Sequence, residues 1–591
     1  MGKNSWLAYL EHSKAAHVVS SNGLRLLDSC RKFRTLEDHL LDLNDKFGLG
    51  QLQLPAIKKA LSEFAEKGMF VSYDTVISGL SQVSPQPEED GRVTSLGIIT
   101  RNRISRLETA LRSYIENCKG YDRDNTYLIF DDSPDFKVRD QCRSMLRSLK
   151  RRYQVNLRYG GLEEKVKFAR ALSGDYDFPQ DIVEFATLDP EGVGLSIGAN
   201  RNAMLLDAVG ELLFSADDDT VCRIAPHPEA KDTLTFFSEA IPADLWNFPD
   251  RESALKFAGP VEEDFLAPHE KTLGKSLESL ALAAEGRGEL KIHNYLCDHL
   301  LSSLLSGQGK IITTFNGVLG DSGMRSSLQY LIWGEGPNLS RLVQSESYYH
   351  TVKSSREVLR VAPCMSIVHG KECMAGFIGL DNRMVLPPFL PVCRGEDSVF
   401  GVLLNKCYDN CYSCYLPRAL LHAPTERRPI QDFLTSVNRI FASNIFAWLI
   451  LSFPLTVGRY SPQDNLRRLG AYLIELGALP LAEFEEFLRL LAWQAAGQMI
   501  SVLESRLNTY KNAPRFWGRD LEKYIDAIKN RAPDEDYIVP SDLAERGGPF
   551  GARLLSQRLV FKFGRLLTLW PDFVEAAKRL RDQGRRLSEE I

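Results

Sequence analysis

A chain of 591 residues is too long for one small module, and a content of 44 % hydrophobic and 25 % charged residues excludes long disorder and a fibrous repeat. Seventy-two Lys and Arg stand against 77 Asp and Glu, a formal charge of −5, so bulk charge points to neither a polyanion nor an anionic membrane as partner. Eleven cysteines, an odd number, and no basic-then-apolar leader over Met1–Ser20 fit a reducing, cytoplasmic setting.

In chain order, helical patterns come first, at Leu36–Leu43 and at Leu54–Lys67, the latter with apolar Leu54, Ile57, Leu61 and Phe64. Gly68 and the β-prone Met69–Tyr73 follow, so the order is helix, helix, small wing. This run resembles a winged helix, including the small variety that grips peptide leaders in peptide-modifying enzymes. Residues 22–80 hold eight Lys or Arg and eight Asp or Glu, a balance that favours protein or peptide docking over nucleic acid. Ser81–Gly91, with two prolines and three adjacent acids, reads as a solvated linker. The expected division is 1–82, a linker at 83–92, an α/β domain at 93–430 and a helical domain at 431–591.

Strands alternate with helical stretches from Val93 to about Pro424, the sign of a layered α/β sheet. Beyond it, Leu481–Leu507 shows apolar residues at three- and four-residue steps behind Pro480. Ile445–Val457 is shorter than the roughly 20 residues that cross hydrocarbon, and Pro454 interrupts it. It is expected as a buried helix, with peripheral membrane contact as the alternative. Lys578–Arg586 reads as a solvated helix face.

Chemistry-bearing residues gather at strand ends. Val93–Thr100 stops at Arg101, Asn102 and Arg103, and Tyr127–Phe130 stops at Asp131 and Asp132. Open α/β sheets place ligands where strands end in a polar loop. Gly198-Ala199-Asn200-Arg201-Asn202 opens a helix, and Gly210–Phe214 leads to Asp217, Asp218 and Asp219. Three adjacent carboxylates repel unless a cation sits between them, and in an extended segment Asp217 and Asp219 would leave on one side. Arg394-Gly395-Glu396-Asp397 precedes the helical VFGVLL, and His422 ends the Leu416–His422 run.

These motifs, in this order, are similar to the nucleotide-sugar half of GT-A glycosyltransferases, particularly the large inverting family that contains polysaccharide synthases. The resemblance covers about 93–225 and 375–425. It implies a GT-A-like core, Rossmann-like in its nucleotide-binding half, with Thr100 to Arg103, Asp131 and Asp132 at the nucleoside and Arg201 and Asn202 beside the diphosphate. The acidic triplet contacts the sugar and, through Asp217 and Asp219 with His422, holds Mn or Mg. Asp397 is the expected base, with Glu396 orienting it. An alcohol must lose its proton to displace a sugar phosphate, and a base opposite the leaving group leads to inversion. The implied donor is a nucleotide diphosphate sugar with uridine as the nucleoside. The acceptor, a peptide, protein or glycan, and assembly as a homo-oligomer stay open.

The 176 residues between Asp219 and Glu396 exceed what a compact catalytic domain needs, so an insertion at about 230–370 is expected near the acceptor side. Cys407, Cys411 and Cys414 have the C-x3-C-x2-C spacing of radical S-adenosylmethionine enzymes, and with Cys393 they could make a zinc site. A scaffold that binds a sugar nucleotide without turnover is the third alternative.

Overall fold

The computed structural model describes residues 4–10, 12–31, 33–48, 50, 52–80, 91–237, 242–292, 298–369, 372–425, 429–437, 439–455, 460–532 and 534–591. Strands β1 (Ser5–Leu10) and β2 (Ala15–Ser20) pair antiparallel. Helices Ser21–Ser29, Leu36–Phe47 and Leu54–Glu66 follow, around a small core of Cys30, Leu43 and Leu61. At Met69–Tyr73 the expected wing is replaced by a turn and a helix start. Ser72 Oγ accepts the Thr75 N–H at 3.1 Å and caps helix Tyr73–Leu80, which a side-chain acceptor favours over an extended chain. Val76 and Leu80 pack with Leu300 and Leu304, which holds this unit against the α/β body. The expected linker at 83–92 lies mostly on 81–90, outside the described residues.

The body is built on a mixed sheet. Strands β3 (Val93–Thr100), β4 (Thr126–Asp131), β5 (Asn156–Gly160) and β6 (Leu212–Asp217) are parallel, in the order β6-β3-β4-β5. Apolar runs buried on both faces suit this arrangement, with helices such as Ile104–Gly120 and Phe136–Tyr153 as crossovers. Next come β7 (Thr220–Pro226), β8 (Leu234–Phe237), β9 (Asp244–Phe248), β10 (Leu290–Ile292), β11 (Lys310–Asp321), β12 (Glu357–Val361), β13 (Met365–Val368), β14 (Phe377–Asp381) and β15 (Cys411–His422). Antiparallel β14 joins the parallel half to the rest by pairing with both β6 and β11. Residues 230–370 are therefore not an insertion set apart from the sheet. They supply β8 to β13, and β11 pairs with β12, β14 and β15 in its middle.

The helices after residue 430 share a core with the sheet domain: Phe185, Leu386 and Phe400 belong to the same apolar cluster as Phe563 and Trp570. Ala442, Ile445, Phe446, Leu449 and Ile450 of helix Ala442–Ser452 are buried in it, as expected of an apolar stretch too short to span a membrane. Among the described residues no helix is long and apolar enough to cross one. The chain end returns to the sheet, with β16 (Glu589–Glu590) antiparallel to β5. Asp207 is buried and accepts from the Ser588 N–H at 2.8 Å and pairs with Arg586 at 2.9 Å, while Arg581 pairs with Glu211. Arg581 and Arg586 thus answer carboxylates of the sheet domain, while Lys578, Arg579 and Arg585 stay on an exposed face.

Candidate active site

A cleft of about 290 Å³ opens where the parallel strands end. Register places Thr100 beside Asp131 and Ile99 beside Asp217, so the ends of β3, β4 and β6 share one rim. Helix Ile197–Asp207 points its N-terminus at the same space, with Ser196, Ile197 and Asn200 on the wall. Free N–H groups and the helix dipole make such an end a favourable seat for an anion. Gly198 is required for this placement: a Cβ there would lie 1.8 Å from the Leu390 carbonyl oxygen.

On the nucleotide side, strand alternation separates the two adjacent carboxylates. Asp132 lines the cleft, whereas Asp131 turns away and accepts from Tyr159 O–H at 2.9 Å and Ser133 N–H at 2.8 Å. Asp131 is therefore structural, contrary to the expectation of a nucleoside contact. Lys165, 0 % exposed, donates to Asp132 Oδ1 and to Asn200 Oδ1. Asp132 is 5 % exposed, and its Oδ2 is buried with no hydrogen-bond partner. A buried carboxylate oxygen without a donor is costly, so this atom is set up to receive an N–H from a ligand. Thr100, Arg101 and Arg103 line the cleft as expected. Asn102, in the left-handed region at φ 57°, turns its own N–H to Ser133 Oγ at 2.7 Å and lies off the lining.

Asp218 and Asp219 form a turn between β6 and β7, so the extended geometry expected for Asp217 and Asp219 does not occur. Asp217 pairs with Arg201 at 2.6 Å. Asp218 accepts from Thr100 Oγ1–H at 2.7 Å and lies 3.1 Å from Arg103, yet burial and the neighbouring Asp219 push it up to about 7. Asp219 lies 3.4 Å from His422 Nε2. Burial would raise the Asp219 carboxyl, but His422 and Arg103 outweigh it and hold the group below the usual range. His422 is raised in turn, because Asp219 overrides the cost of burying the imidazolium. Its Nδ1–H donates to the Asp321 carbonyl, which aims Nε2 at Asp219 and the cleft. Asp219 and His422 thus offer one hard oxygen and one imidazole nitrogen side by side, a donor pair suited to a divalent cation that takes its other ligands from phosphate and water. Among the described residues no group of three His, Cys, Asp or Glu side chains is arranged to hold a metal unaided.

Glu396 and Asp397 start helix Glu396–Cys407 behind this rim. Arg201 links them to it: buried, it donates to Ser215 Oγ at 2.9 Å, pairs with Asp217, and holds its Nε 3.6 Å from Glu396 Oε1. Burial and the Asp397 charge push Glu396 up to about 7. Burial also raises Asp397, with Arg201 opposing. One guanidinium thus faces the carboxylates of Asp217 and Glu396 with Asp397 beside them, and Glu396 is the one pushed up to about 7.

Asn202 does not reach the cleft. Its side chain donates to the carbonyls of Ala186 and Phe389 at 3.0 and 2.9 Å and accepts the Phe389 N–H, which uses its hydrogen-bonding capacity in clamping the backbone. Nor do the cysteines converge. Cys411 and Cys414 are three residues apart on β15 and so face opposite sides. Cys407 belongs to the large core shared with the helices, and Cys414 to the cluster around Leu277 and Leu300. Burial drives Cys407, Cys411 and Cys414 up to about 12, and their opposed placement keeps them from sharing one ligand set. Cys393 is buried as well, and the ten described cysteines are free.

Sequence reasoning missed Lys165, Arg106, Arg356 and Arg394. Lys165 had a signal: it occupies a core position of a stripe completed by Phe168, Ala169 and Leu172, where only a paired lysine is tolerated. The arginines had none, because Arg356 and Arg394 reach the cleft only through the pairing of β11, β12 and β14.

No family model matches the chain, and no curated protein does. The solved structures similar to it include two transferases. A mannosyltransferase, PcManGT from Pyrobaculum calidifontis in complex with GDP-Man and Mn2+, is 10 % identical over 87 % of this chain and 94 % of its own, with a TM-score of 0.22. S. aureus TarS, residues 1–349, is 12 % identical over 83 % of this chain and 92 % of its own, also at 0.22. At that TM-score the likeness carries no argument about this chain, and its function has to be argued from the cleft itself.

Proposed function

We propose that the chain is a glycosyltransferase that moves a sugar from a nucleoside diphosphate sugar, with uridine as the nucleoside, to an acceptor hydroxyl. The observation that carries this reading is one cleft at the carboxyl ends of parallel strands that offers a buried, unpartnered acceptor in Asp132 Oδ2, a helix N-terminus at Ser196–Ile197 and the Asp219–His422 pair. Asp132 accepts the ring N–H of the base, and Lys165 holds it in place. The helix end, with Arg101 and Arg106 on the same wall, receives the diphosphate. Asp219 and His422 would hold Mn or Mg, which when bound neutralises charge on the departing diphosphate.

Asp397 takes the proton of the acceptor hydroxyl as the new bond to the sugar C1 forms and the bond from C1 to the diphosphate oxygen breaks; the nucleoside diphosphate leaves with the electron pair. Glu396 and Arg201 tune this base: the cation favours ionisation and the second carboxylate opposes it, which puts the pair near working pH. Attack opposite the leaving group inverts the anomeric carbon.

The test is release of uridine diphosphate from common uridine diphosphate sugars, with and without Mn, by the wild type and Asp219→Ala. Metal-dependent release, reduced on the order of 10³-fold in the variant, is expected. No nucleotide binding would sink the reading, and binding without release from any donor would turn it into the scaffold alternative.

A further inference from the structure

Helix Ile197–Asp207, whose N-terminus points into the cleft, is held at both ends by one distant segment of the chain. At its far end Asp207 accepts the Ser588 N–H at 2.8 Å and the Ser588 Oγ–H at 2.9 Å, and pairs with Arg586. Ahead of its near end, residues 188–196 connect it to helix Gln180–Thr187 and form neither helix nor strand. Glu191 of this connection, with 8 % of its side chain exposed, pairs with Arg558 at 2.6 Å and with Lys562 at 2.5 Å. Both cations belong to helix Ser541–Asp582, four residues apart and so on one face of it. Arg565 of the same helix donates to Asp181 of helix Gln180–Thr187 at 2.8 Å.

Glu191 sits within a tight turn. Asp189 accepts the Val193 N–H at 2.9 Å and the Gly194 N–H at 2.5 Å, and Gly192 and Gly194 take φ 66° and 81°, a left-handed path that glycine follows without strain. The turn runs directly into the cleft wall. The Gly194 carbonyl accepts from Arg101 Nη1, and the next three residues, Leu195, Ser196 and Ile197, line the cleft together with Arg101. A connection held only by its own backbone bonds opens at little cost, whereas a buried carboxylate answered by two cations is fixed to the body that carries them. The nucleoside end is secured differently: Asp132 is held by Lys165 of helix Leu162–Tyr176.

We infer that Glu191, with Arg558 and Lys562, is a positioning residue for the diphosphate seat: the C-terminal helix sets where Arg101 and the N-terminus of helix Ile197–Asp207 stand, and so governs affinity for the phosphate half of the donor and not for the nucleoside. This rests on the glycosyltransferase reading and adds the C-terminal helices to its donor site. An anion seat made of backbone N–H groups works only at hydrogen-bond distance, so releasing the turn that feeds it weakens phosphate binding while the Asp132 contact stays.

The test titrates uridine, and uridine diphosphate with Mn, calorimetrically into wild type, Glu191→Gln, Lys562→Gln and the double variant. Glu191→Gln is expected to weaken uridine diphosphate about tenfold and to leave uridine unchanged, a split that general damage to the fold would not give. The double variant should lose no more than Glu191→Gln alone, because both substitutions open the same pair. Unchanged uridine diphosphate affinity in Glu191→Gln, equal weakening of uridine and uridine diphosphate, or losses that add in the double variant would overturn the positioning role alone. If the wild type binds neither ligand, the glycosyltransferase reading falls and takes this role with it.

Discussion

The two walls of the cleft are made differently. The nucleotide wall comes from the ends of neighbouring parallel strands and the helices that join them, so Thr100, Asp132 and Asp217 to Asp219 are brought together by adjacent βα units. The opposite wall is assembled from the ends of β11 and β15, the turn before β12 and the loop before Glu396, all joined through antiparallel β14. Both walls carry paired groups: Arg103 answers Asp218 and Asp219 and Lys165 answers Asp132 on the first, where Asp132 Oδ2 has no partner, and Arg356 answers Asp321 on the second. A wall built from adjacent βα units is set by local sequence and one assembled from distant segments by long-range pairing, so a substitution on one need not disturb the other.

The sharpest way to break this contrast is Asp397→Asn. If the second wall carries the base, kcat falls about 10²–10⁴-fold while uridine diphosphate affinity changes little, since the substitution touches only that wall. An equal loss of nucleotide affinity, read by calorimetry, would show that the walls do not work separately.

Lys165→Met probes the pairing of the first wall. It leaves the Asp132 carboxylate buried without its cation, and urea unfolding is expected to show a loss of about 3–5 kcal/mol. Removing both charges in Lys165→Met with Asp132→Leu should recover much of that stability but not nucleotide binding.

The smallest effect is a dependence on pH. Glu396 has a folded pKa raised above its unfolded value, so its contribution to stability is fully present below about pH 4.5 and is lost as pH rises through about 7. Over that window melting temperature should fall with pH, and Glu396→Gln should flatten the slope. Activity should run the other way, rising through about pH 7 as the Glu396 proton leaves, which a pH–rate profile of kcat/KM would show.

Legibility in the sequence follows the same division. The ends of β3, β4 and β6 were readable because an apolar run that stops at a charged residue marks both a strand and its rim; Asp132 and Asp219 were placed at the cleft this way, and His422 from the end of β15. Asp131 and Asn202 were misassigned because adjacent residues on a strand or a helix leave in different directions, and only the registry of the strand and the Phe389 backbone decided which one faced the cleft. The wing failed for a smaller reason: a β-prone run of five residues lost to the cap supplied by Ser72.

What the sequence by itself determined is an α/β chain with acids at strand ends, because periodicity and strand termini are local properties carried by neighbouring residues. The tertiary structure alone decided that 230–370 is woven into the sheet, that the tail closes on Asp207, and that Arg356 and Arg394 line one cleft. Those outcomes depend on pairings between segments far apart in the chain, and the free energy of such a pairing comes from surfaces that no local window contains.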